Sequence, residues 1–459
     1  MRFIQPEPFT TDLLHRQALA VLEAALAAAD PAQAIRRALR REGDLLFVED
    51  RPYDLRQFRR ILVVGAGKAT ALMACAVEEL LADRLTAGTV TVKYGYTAPT
   101  KVIAMREAGH PIPDEAGAMA TRAIVDLLRD LTADDLVLCL ISGGGSALMP
   151  LPVPGVSLAD LQALTDALLR SGAPIQAVNA VRKHLSQVAG GQLARLAHPA
   201  TVVSLLVSDV VGSPLDVIAS GPTVADESTF EQAWQVLERY GVLDHASAPI
   251  RQHLQRGLSG EIPDTPKPGD PALARVHNVI ITDNAHAAEA AVQKALSLGF
   301  NTLLLTTYLE GEAREVGKVL AALAREIAWR GHPVSPPACL IAGGETTVTV
   351  RGQGKGGRNQ EVALSAALAI QGMPGVVIAS LATDGTDGPT DAAGGLVDGE
   401  TVARGETAGA DALAALRDND AYTFLQRAGA LLMTGPTNTN VNDLLAVFVG
   451  VPAGVNGPA

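Results

Sequence analysis

Short apolar runs alternate with amphipathic segments along most of this chain. The apolar runs have the length of buried strands, and the segments between them repeat apolar residues at helical spacing. The predicted strands are Ile61–Val64, Val90–Lys93, Leu136–Ile141, Val202–Val207, Val279–Ile281, Thr302–Thr306, Leu340–Ala342, Thr346–Val350, Val376–Ser380 and Leu444–Val449. The predicted helices are residues 10–40, Lys68–Ala82, Glu115–Arg129, Ser157–Arg170, Ile175–Ala197, Ala285–Leu298 and Glu312–Trp329, and a further helix starts at about Asn359. This alternation predicts an α/β protein with parallel or mixed sheets and helices on both faces.

One proline-rich stretch interrupts this alternation. The segment Leu258–Arg275, LSGEIPDTPKPGDPALAR, holds four prolines and shows no periodicity, which is typical of a domain boundary. We therefore expect an N-terminal domain of residues 1–257, a linker of residues 258–275 and a C-terminal domain of residues 276–459. Both domains should be α/β, the first should be Rossmann-like, and the active-site cleft should lie between them.

The bulk composition limits the partners that the protein can have. The 459 residues are 48% hydrophobic but only 3% aromatic, so the cores must be built from Ala, Leu and Val. A net charge of −12 without a basic tract disfavours nucleic acid and anionic membranes as partners. Three widely spaced cysteines, Cys75, Cys139 and Cys339, indicate buried thiols in a reducing compartment. Neither a signal-peptide core nor an apolar run of about 18 residues is visible, so we expect a soluble, cytoplasmic protein.

The segment Cys339–Glu361, CLIAGGETTVTVRGQGKGGRNQE, carries the strongest local signal for ligand binding. An apolar run ends at Gly343-Gly344, and a glycine-rich loop with Lys355 and Arg358 then leads into an apolar helix. Bare backbone N–H groups, a helix dipole and two cations would meet there, which predicts an anion site. A tight turn with two solvated cations is the alternative.

Two further glycine loops follow predicted strands in the N-terminal half. In VVGAGKAT, Gly65 and Gly67 match the opening of a dinucleotide fingerprint, but Thr70 replaces the third small residue, and the P-loop pattern also fails. Lys68 stands at a helix N-terminus, where an anion would offset its unfavourable interaction with the helix dipole. In LISGGGSALMP, the glycines of residues 142–146 allow a nest of N–H groups for a phosphate. A solvated lysine and a strained turn are the alternatives.

Carboxylates follow two other predicted strands. Asp209 comes directly after Val202–Val207, where it could hold Mg²⁺ or accept a proton from a substrate hydroxyl. In LATDGTDGPTDAAGG, Asp384, Asp387 and Asp391 follow another strand, and carboxylates on glycine turns suit a hard cation. Turn capping and solvated turn positions are the alternatives for these aspartates.

Two other polar segments give weaker signals. TGPTNTNVND, which contains Asn438, could line a polar pocket, although asparagine and threonine are also ordinary turn residues. His110 lies in AGHPIPDEAG, where two prolines indicate a rigid loop, and a structural role is favoured over a catalytic one. No Ser/His/Asp or His/His/Glu spacing stands out among the nine histidines.

Seven motifs follow one another along the chain between residue 65 and residue 444. They are GAGKAT, ISGGGSAL, NAVRKHLSQVAGGQLA, SDVVGSPLDVIASGPT, GGETTVTVRGQGKGGRNQE, ATDGTDGPTDAAGG and TGPTNTNVNDL. In this order they resemble the class II glycerate kinases, which join an N-terminal glycerate-kinase domain to a C-terminal MOFRL domain. The resemblance implies phosphorylation of D-glycerate that depends on ATP and Mg²⁺, usually at the 2-hydroxyl, giving 2-phospho-D-glycerate.

The resemblance also implies which residues are functional: Lys68, Asp209, Arg358 and Asp384. Our hypotheses are that Asp209 orients or deprotonates the glycerate hydroxyl and that Lys68 and Arg358 bind the carboxylate or neutralise the phosphate. Residues 142–146 would cradle the nucleotide phosphates, and Asp384 and Asp387 would hold the metal. The expected substrate- and nucleotide-binding residues are Gly65, Gly67, Ser142, Gly143, Gly144, Gly145, Ser146, Gly344, Glu345, Asn359 and Asn438.

The main alternative is an NAD(P)H-dependent hydroxypyruvate reductase. That enzyme needs a dinucleotide site, but the fingerprint at residues 65–70 is incomplete, and no acidic residue ends the second strand, where Lys93 stands. A non-enzymatic sensor of sugar acids or nucleotides is a third hypothesis, and it would not need the carboxylates of Asp209 and Asp384. D-Glycerate and ATP are the expected partners, and a homodimer is left open.

Overall fold

The computed structural model describes Phe3 and residues 12–451 of the chain. The strands are β1 (Leu39–Glu42), β2 (Leu45–Val48), β3 (Arg51–Asp54), β4 (Arg60–Ala66), β5 (Ala87–Lys93), β6 (Ile103–Ala108), β7 (Asp135–Ile141), β8 (Thr201–Val207), β9 (Val276–Thr282), β10 (Asn301–Glu312), β11 (Ala338–Thr347), β12 (Val376–Ala382), β13 (Gly394–Asp398), β14 (Leu431–Leu432) and β15 (Asp443–Val449). The α-helices are α1 (Leu13–Ala29), α2 (Pro31–Ala38), α3 (Thr70–Leu81), α4 (Glu115–Leu127), α5 (Gly145–Leu148), α6 (Leu158–Arg170), α7 (Ile175–His184), α8 (Gln192–Ala197), α9 (Phe230–Arg239), α10 (Ala248–Leu258), α11 (Asn284–Ser297), α12 (Ala313–Arg330), α13 (Arg358–Ala369), α14 (Thr401–Thr407), α15 (Ala412–Arg417) and α16 (Ala421–Arg427).

The chain divides into two compact units, Pro31–Ile281 on the one hand and Met1–Asp30 with Thr282–Ala459 on the other. In the first unit, six strands form a sheet in the order β6-β5-β4-β7-β8-β9. The pairs from β6 to β8 are parallel. Counted from β4, this order is 3-2-1-4-5-6, the arrangement of Rossmann folds, so the predicted Rossmann-like domain is confirmed. A separate antiparallel sheet, β1-β2-β3, precedes it in the chain.

The middle strands of this sheet are apolar because both of their faces are covered. Every residue of β7 and β8 is buried, as expected for parallel strands between layers of helices. Leu62 and Val64 of β4 pack in one apolar cluster with Val137 of β7 and Ile124 of α4. This cluster holds the carboxyl ends of β4 and β7 side by side.

The second unit contains a mixed sheet in the order β10-β11-β15-β12-β13-β14. The pair β10–β11 is parallel, and the other pairs are antiparallel. Strand β11 runs straight through Gly343 and Gly344, whose partners in β15 are Leu444 and Asp443. The predicted strand end at this glycine pair, followed by a separate strand Thr346–Val350, is therefore wrong. Pairing with β15 continues across both glycines, which have no side chains that would oppose it.

The proline-rich run does not divide the two units as predicted. Asp264 accepts a hydrogen bond from His184 at 2.8 Å, and Asp270 accepts one from Arg195 at 2.9 Å. The next strand, β9, is an edge strand of the Rossmann-like sheet. Residues 258–281 thus belong to the first unit, and the boundary lies at Thr282 because this run has partners of its own on that unit.

The N-terminal helix also differs from the prediction. The predicted helix of residues 10–40, whose first two positions lie outside the described residues, is two helices, α1 and α2, separated at Asp30. Proline at position 31 starts the second helix, where its missing N–H costs nothing. Val21 and Leu22 lie on the buried face of α1, and this helix packs against α11. Consequently α1 belongs to the C-terminal unit, although the sequence prediction placed it in the N-terminal domain.

Within the described residues, no single helix is both long enough and apolar enough to cross a membrane. The consecutive helices α1 and α2 satisfy the length and composition criteria only when they are taken together as a bent pair.

Candidate functional site

The Rossmann-like sheet reverses its strand order between β4 and β7, and the loops after these two strands interlock. Ser142 donates its backbone N–H to the Ala66 carbonyl at 3.2 Å, and Lys68 donates its own to the Gly143 carbonyl at 2.9 Å. The Ser142 hydroxyl accepts a third bond from the backbone N–H of Ala69 at 3.0 Å. Ligands of open α/β sheets bind at such a reversal point. The two predicted glycine loops of this half are therefore parts of one site.

Gly65 and Gly67 are required by this contact between the loops. Both have positive φ, 156° and 150°. A Cβ atom on Gly65 would lie 1.9 Å from the Leu140 carbonyl oxygen, and one on Gly67 would lie 2.0 Å from the Ser142 hydroxyl oxygen. The resemblance to a dinucleotide fingerprint therefore has a packing explanation in this protein.

Three ionisable side chains converge on the glycines of residues 142–146. A Cβ atom on Gly143 would lie 1.9 Å from an Asp209 carboxylate oxygen. A Cβ atom on Gly144 would lie 2.8 Å from the His110 ring and 3.4 Å from Cγ of Lys68. The glycines thus leave room for these side chains, and predicted residues more than 140 positions apart in the sequence meet at one place.

A cavity of about 880 Å³ opens beside these glycines. Its walls are largely apolar and come from α6, α7 and the loops after β6, β7 and β8. The polar side chains that line it include His110, Ser146, Asn179, Arg182, Asp209 and Ser220. Such a cavity, with few polar groups on apolar walls, is typical of a small-molecule site.

Sequence reasoning missed two of these residues and undervalued a third. Asn179 and Arg182 lie one turn apart on α7 and line the same cavity. Their signal was present in the motif NAVRKH, because residues three apart on a helix share a face. His110, favoured as structural, stands beside Lys68 and the glycine loop. Burial, followed by the positive charges of Lys68 and Lys93, lowers its pKa from 6.5 to about 4.

In the second unit, Arg358 is held by two carboxylates. Its Nε and Nη2 atoms donate to Asp443 at 2.6 and 3.0 Å, and Nη1 donates to Glu345 at 2.7 Å. Burial by itself would lower the pKa of Arg358, but the hydrogen bonds and charge of Asp443 raise it. Burial raises the pKa of Asp443 to about 6, against the opposing effect of Arg358. Glu345, by contrast, has a side chain that is 42% exposed.

The start of α13, where the sequence predicted an anion site, contains an anion from the protein itself. The two carboxylate oxygens of Asp387 accept the backbone N–H groups of Asn359 at 3.1 Å and Gln360 at 2.8 Å. Burial raises the pKa of Asp387. The Asn359 amide oxygen accepts a hydrogen bond from the Ser380 hydroxyl at 2.6 Å. Asp387 and Asn359 are therefore both engaged in the helix start.

The remaining predicted residues of this unit occupy turns and loops. Asp384 accepts the backbone N–H of Thr386 at 3.0 Å, and Asn438 is exposed with a positive φ of 58°. Gly344 packs so closely on β10 that a Cβ atom would lie 2.1 Å from the Leu309 carbonyl oxygen. Lys355 lies over the ring of Tyr422 at 4.0 Å. Among the described residues, no group of three or more His, Cys, Asp or Glu side chains is placed to hold a metal ion.

Comparisons with known proteins agree with these features. The family described as Domain of unknown function (DUF4147) matches residues 17–255, and the MOFRL family matches residues 338–443. A glycerate 2-kinase of Pyrococcus horikoshii is 44% identical over 426 residues, which cover 93% of this chain and 95% of that protein. A D-glycerate 2-kinase of Thermotoga maritima is 47% identical over 387 residues, which cover 84% of this chain and 90% of that protein. A crystal structure of a glycerate kinase from Thermotoga maritima matches with a TM-score of 0.85 at 43% identity, covering 95% of this chain and 99% of that one.

Proposed function

The chain belongs to the glycerate kinase family that joins a DUF4147 domain to a MOFRL domain, and from this premise we propose that it phosphorylates D-glycerate. ATP donates the phosphoryl group, the 2-hydroxyl accepts it, and 2-phospho-D-glycerate and ADP are the products. The observation that carries the proposal is the convergence of Lys68 and Asp209 on the glycine loop beside the cavity. Phosphoryl transfer needs this combination of a cation, a carboxylate and backbone N–H groups.

Asp209 is the proposed base. It follows β8 directly and lines the cavity, so a hydroxyl of a bound acid can donate a hydrogen bond to its carboxylate. Lys68 is the proposed partner of the transferring phosphate, because its side chain lies against Gly144. The backbone N–H groups of residues 142–146 are the proposed cradle for the nucleotide phosphates. His110, with a pKa of about 4, stays neutral near pH 7 and adds no competing positive charge beside Lys68.

Arg358 is the proposed second cation. Its bidentate bond to buried Asp443 fixes the guanidinium plane, whereas its Nη1 atom meets the half-exposed Glu345. A substrate anion can compete for that outer edge without breaking the inner pair. Substrate kinetics of the Arg358→Lys variant distinguish the two anions: an increased KM for ATP indicates a phosphate at this edge, and an increased KM for D-glycerate indicates a carboxylate.

Mg²⁺ is proposed to accompany ATP. Protein sites for this ion often supply one or two carboxylates, with phosphates and water as the other ligands, so a three-ligand protein cluster is not required. Asp384, with one oxygen bonded to Thr386, fits such a donor. Both oxygens of Asp387 accept bonds from α13, so it fits less well. When bound, Mg²⁺ would neutralise charge on the β- and γ-phosphates.

The test is incubation of the purified protein with D-glycerate, ATP and Mg²⁺, with the product identified by phosphorus NMR. We expect 2-phosphoglycerate in the wild-type reaction. Because a general base contributes about 10²- to 10⁴-fold, Asp209→Asn should lower kcat by about that factor. Asp166→Asn is the matched control, since Asp166 lies at the same cavity but is exposed and paired with Arg170.

Near-normal turnover by D209N would contradict the assignment of Asp209 as the general base. Loss of NADH or NADPH absorbance with hydroxypyruvate, and no phosphoglycerate from D-glycerate, would favour the reductase instead. The homodimer and the cytoplasmic location stay predictions, which light scattering and cell fractionation test.

A further inference from the structure

Three consecutive basic residues end helix α7, and only one of them faces the cavity. Lys183 lies 3.3 Å from Asp226 and 3.4 Å from Asp216, and His184 lies 2.8 Å from Asp264. Arg182 lines the cavity, and within residues 12–451 its side chain has no hydrogen-bond or ion-pair partner. Lys183 and His184 are thus matched by carboxylates of the protein, and Arg182 is not.

Arg182 is partly buried, so the absence of a partner is unfavourable. Burial lowers its pKa, and no neighbouring charge or hydrogen bond counteracts that effect. A guanidinium that loses water without gaining a partner is unfavourable, although its place in the last turn of α7 gives a small stabilising interaction with the helix dipole. An anion bound in the cavity would remove the larger part of this cost.

The groups beside Arg182 indicate which kind of anion the cavity would bind. Asn179, 6% exposed, lies one turn before Arg182 on the same cavity wall, and its side chain has no hydrogen bond among the described residues. The planar guanidinium can bind a carboxylate through two parallel hydrogen bonds, and an amide can both donate to and accept from an adjacent hydroxyl. Arg170, on the same cavity, is already paired with Asp166 at 2.8 Å and is 80% exposed.

We propose that Arg182 binds the carboxylate of the hydroxy acid and that Asn179 bonds to its adjacent hydroxyl, which makes the wall of this cavity formed by α7 the acid-binding subsite. The proposal rests on the proposed function and deepens it by naming the residues that recognise the 2-hydroxycarboxylate. Asp209 lines the same cavity, so an acid held by Arg182 has its hydroxyl on the side of the proposed base. This assignment leaves Lys68 to the transferring phosphate.

The test compares Arg182→Met with its matched control Arg170→Met, using D-glycerate and ATP kinetics of the full chain. Because a charged hydrogen-bonded pair is lost from a partly buried site, R182M should raise the KM for D-glycerate about 30- to 100-fold. The KM for ATP should change less than about twofold, and R170M should resemble the wild type. Arg182→Lys keeps the charge but not the planar fork, so we expect about a tenfold rise in the same KM.

A neutral ligand gives a second measurement. Methyl D-glycerate lacks the carboxylate charge, so its inhibition constant should be nearly the same for the wild type and R182M. A wild type that makes phosphoglycerate, together with an R182M variant whose KM for D-glycerate is unchanged, would overturn the subsite. An increase confined to the KM for ATP would also overturn it, because Arg182 would then bind a phosphate. Failure of the wild type to phosphorylate D-glycerate would instead contradict the proposed function.

Discussion

His110 shows how the surroundings of a single residue decide its chemistry. In the sequence it is a histidine followed by two nearby prolines, Pro111 and Pro113, a pattern that favours a structural role. In the structure it lies against Gly144 and near Lys68, and its pKa is lowered to about 4. Its neutrality comes from burial and from two lysines, one of which precedes it by 42 positions in the sequence. A short window around His110 contains neither cause.

The depressed pKa of His110 predicts a loss of stability in acid. Below about pH 6.5 the unfolded chain binds a proton at this histidine, whereas the folded protein does not until about pH 4, so stability falls as pH decreases through this range. His110→Gln removes that loss. The Tm of the variant relative to the wild type should therefore be higher at pH 5 than at pH 7.5.

Thermal unfolding followed by circular dichroism at both pH values measures this difference. His245→Gln is the control, because His245 is exposed in the same unit. A Tm difference between wild type and H110Q that is independent of pH would contradict the assigned shift.

Lys68 and Asp209 could be identified as candidates from their positions in the sequence, whereas the place of Arg182 on the cavity wall could not. The first two follow predicted strands directly, and the carboxyl ends of parallel strands share one edge of the sheet. Arg182 is one of three consecutive basic residues, and the sequence does not say which of them lacks a carboxylate partner. Likewise, the anion at the start of α13 comes from Asp387, a residue 28 positions after Asn359.

At the scale of elements, the strands that were predicted well are those buried on both faces. Strands β4, β7 and β8 are continuous apolar runs, and the structure extends each of them by only a few residues beyond the prediction. Strand β6 was missed because it is an edge strand whose outer residues are exposed and include Arg106 and Glu107. Strands β1 and β3 were missed for a similar reason, since their sequences, LRRE and RPYD, are mostly polar.

The packing of β4 against β7 predicts that Gly65→Ala strongly destabilises the folded protein. The new Cβ would lie 1.9 Å from the backbone oxygen of Leu140, which cannot move without disturbing β7. We expect a loss of about 3 kcal/mol in the free energy of unfolding. Gly95→Ala, at φ 80° with nothing within 4 Å, should cost only about 1–2 kcal/mol of backbone strain.

Urea denaturation of the full chain, followed by circular dichroism, gives the free energy of unfolding of each alanine variant relative to the wild type. Equal costs for the two alanine variants would show that backbone strain alone, and not the contact with β7, requires glycine at position 65.

At the scale of the whole molecule, the first helix stabilises a unit that begins some 250 residues later. The buried face of α1 packs on α11, and the Thr439 hydroxyl donates to the Ala29 carbonyl at 2.6 Å. We predict that Leu22→Ala, which removes a fully buried side chain of α1, costs about 2–5 kcal/mol. The resulting increase in amide exchange should appear in α11 and in the sheet from β10 to β15.

Hydrogen exchange followed by mass spectrometry locates this effect. Leu13→Ala is the matched control, because Leu13 is on the same helix but 61% exposed. Faster exchange in β4–β8, with none in α11, would contradict the assignment of α1 to the second unit.

The sequence by itself determined the α/β class, the buried strands, the glycine loops at strand ends and the candidates Lys68, Asp209 and Arg358. Apolar runs, helical periodicity and the small residues of a turn are local properties, and each can be recognised within a short window. The tertiary structure alone decided that Arg182 and Asn179 face a cavity, that Asp387 caps α13 and that α1 belongs to the C-terminal unit. Each of these depends on contacts between distant segments, whose free energy comes from joint burial and from the pairing of charges.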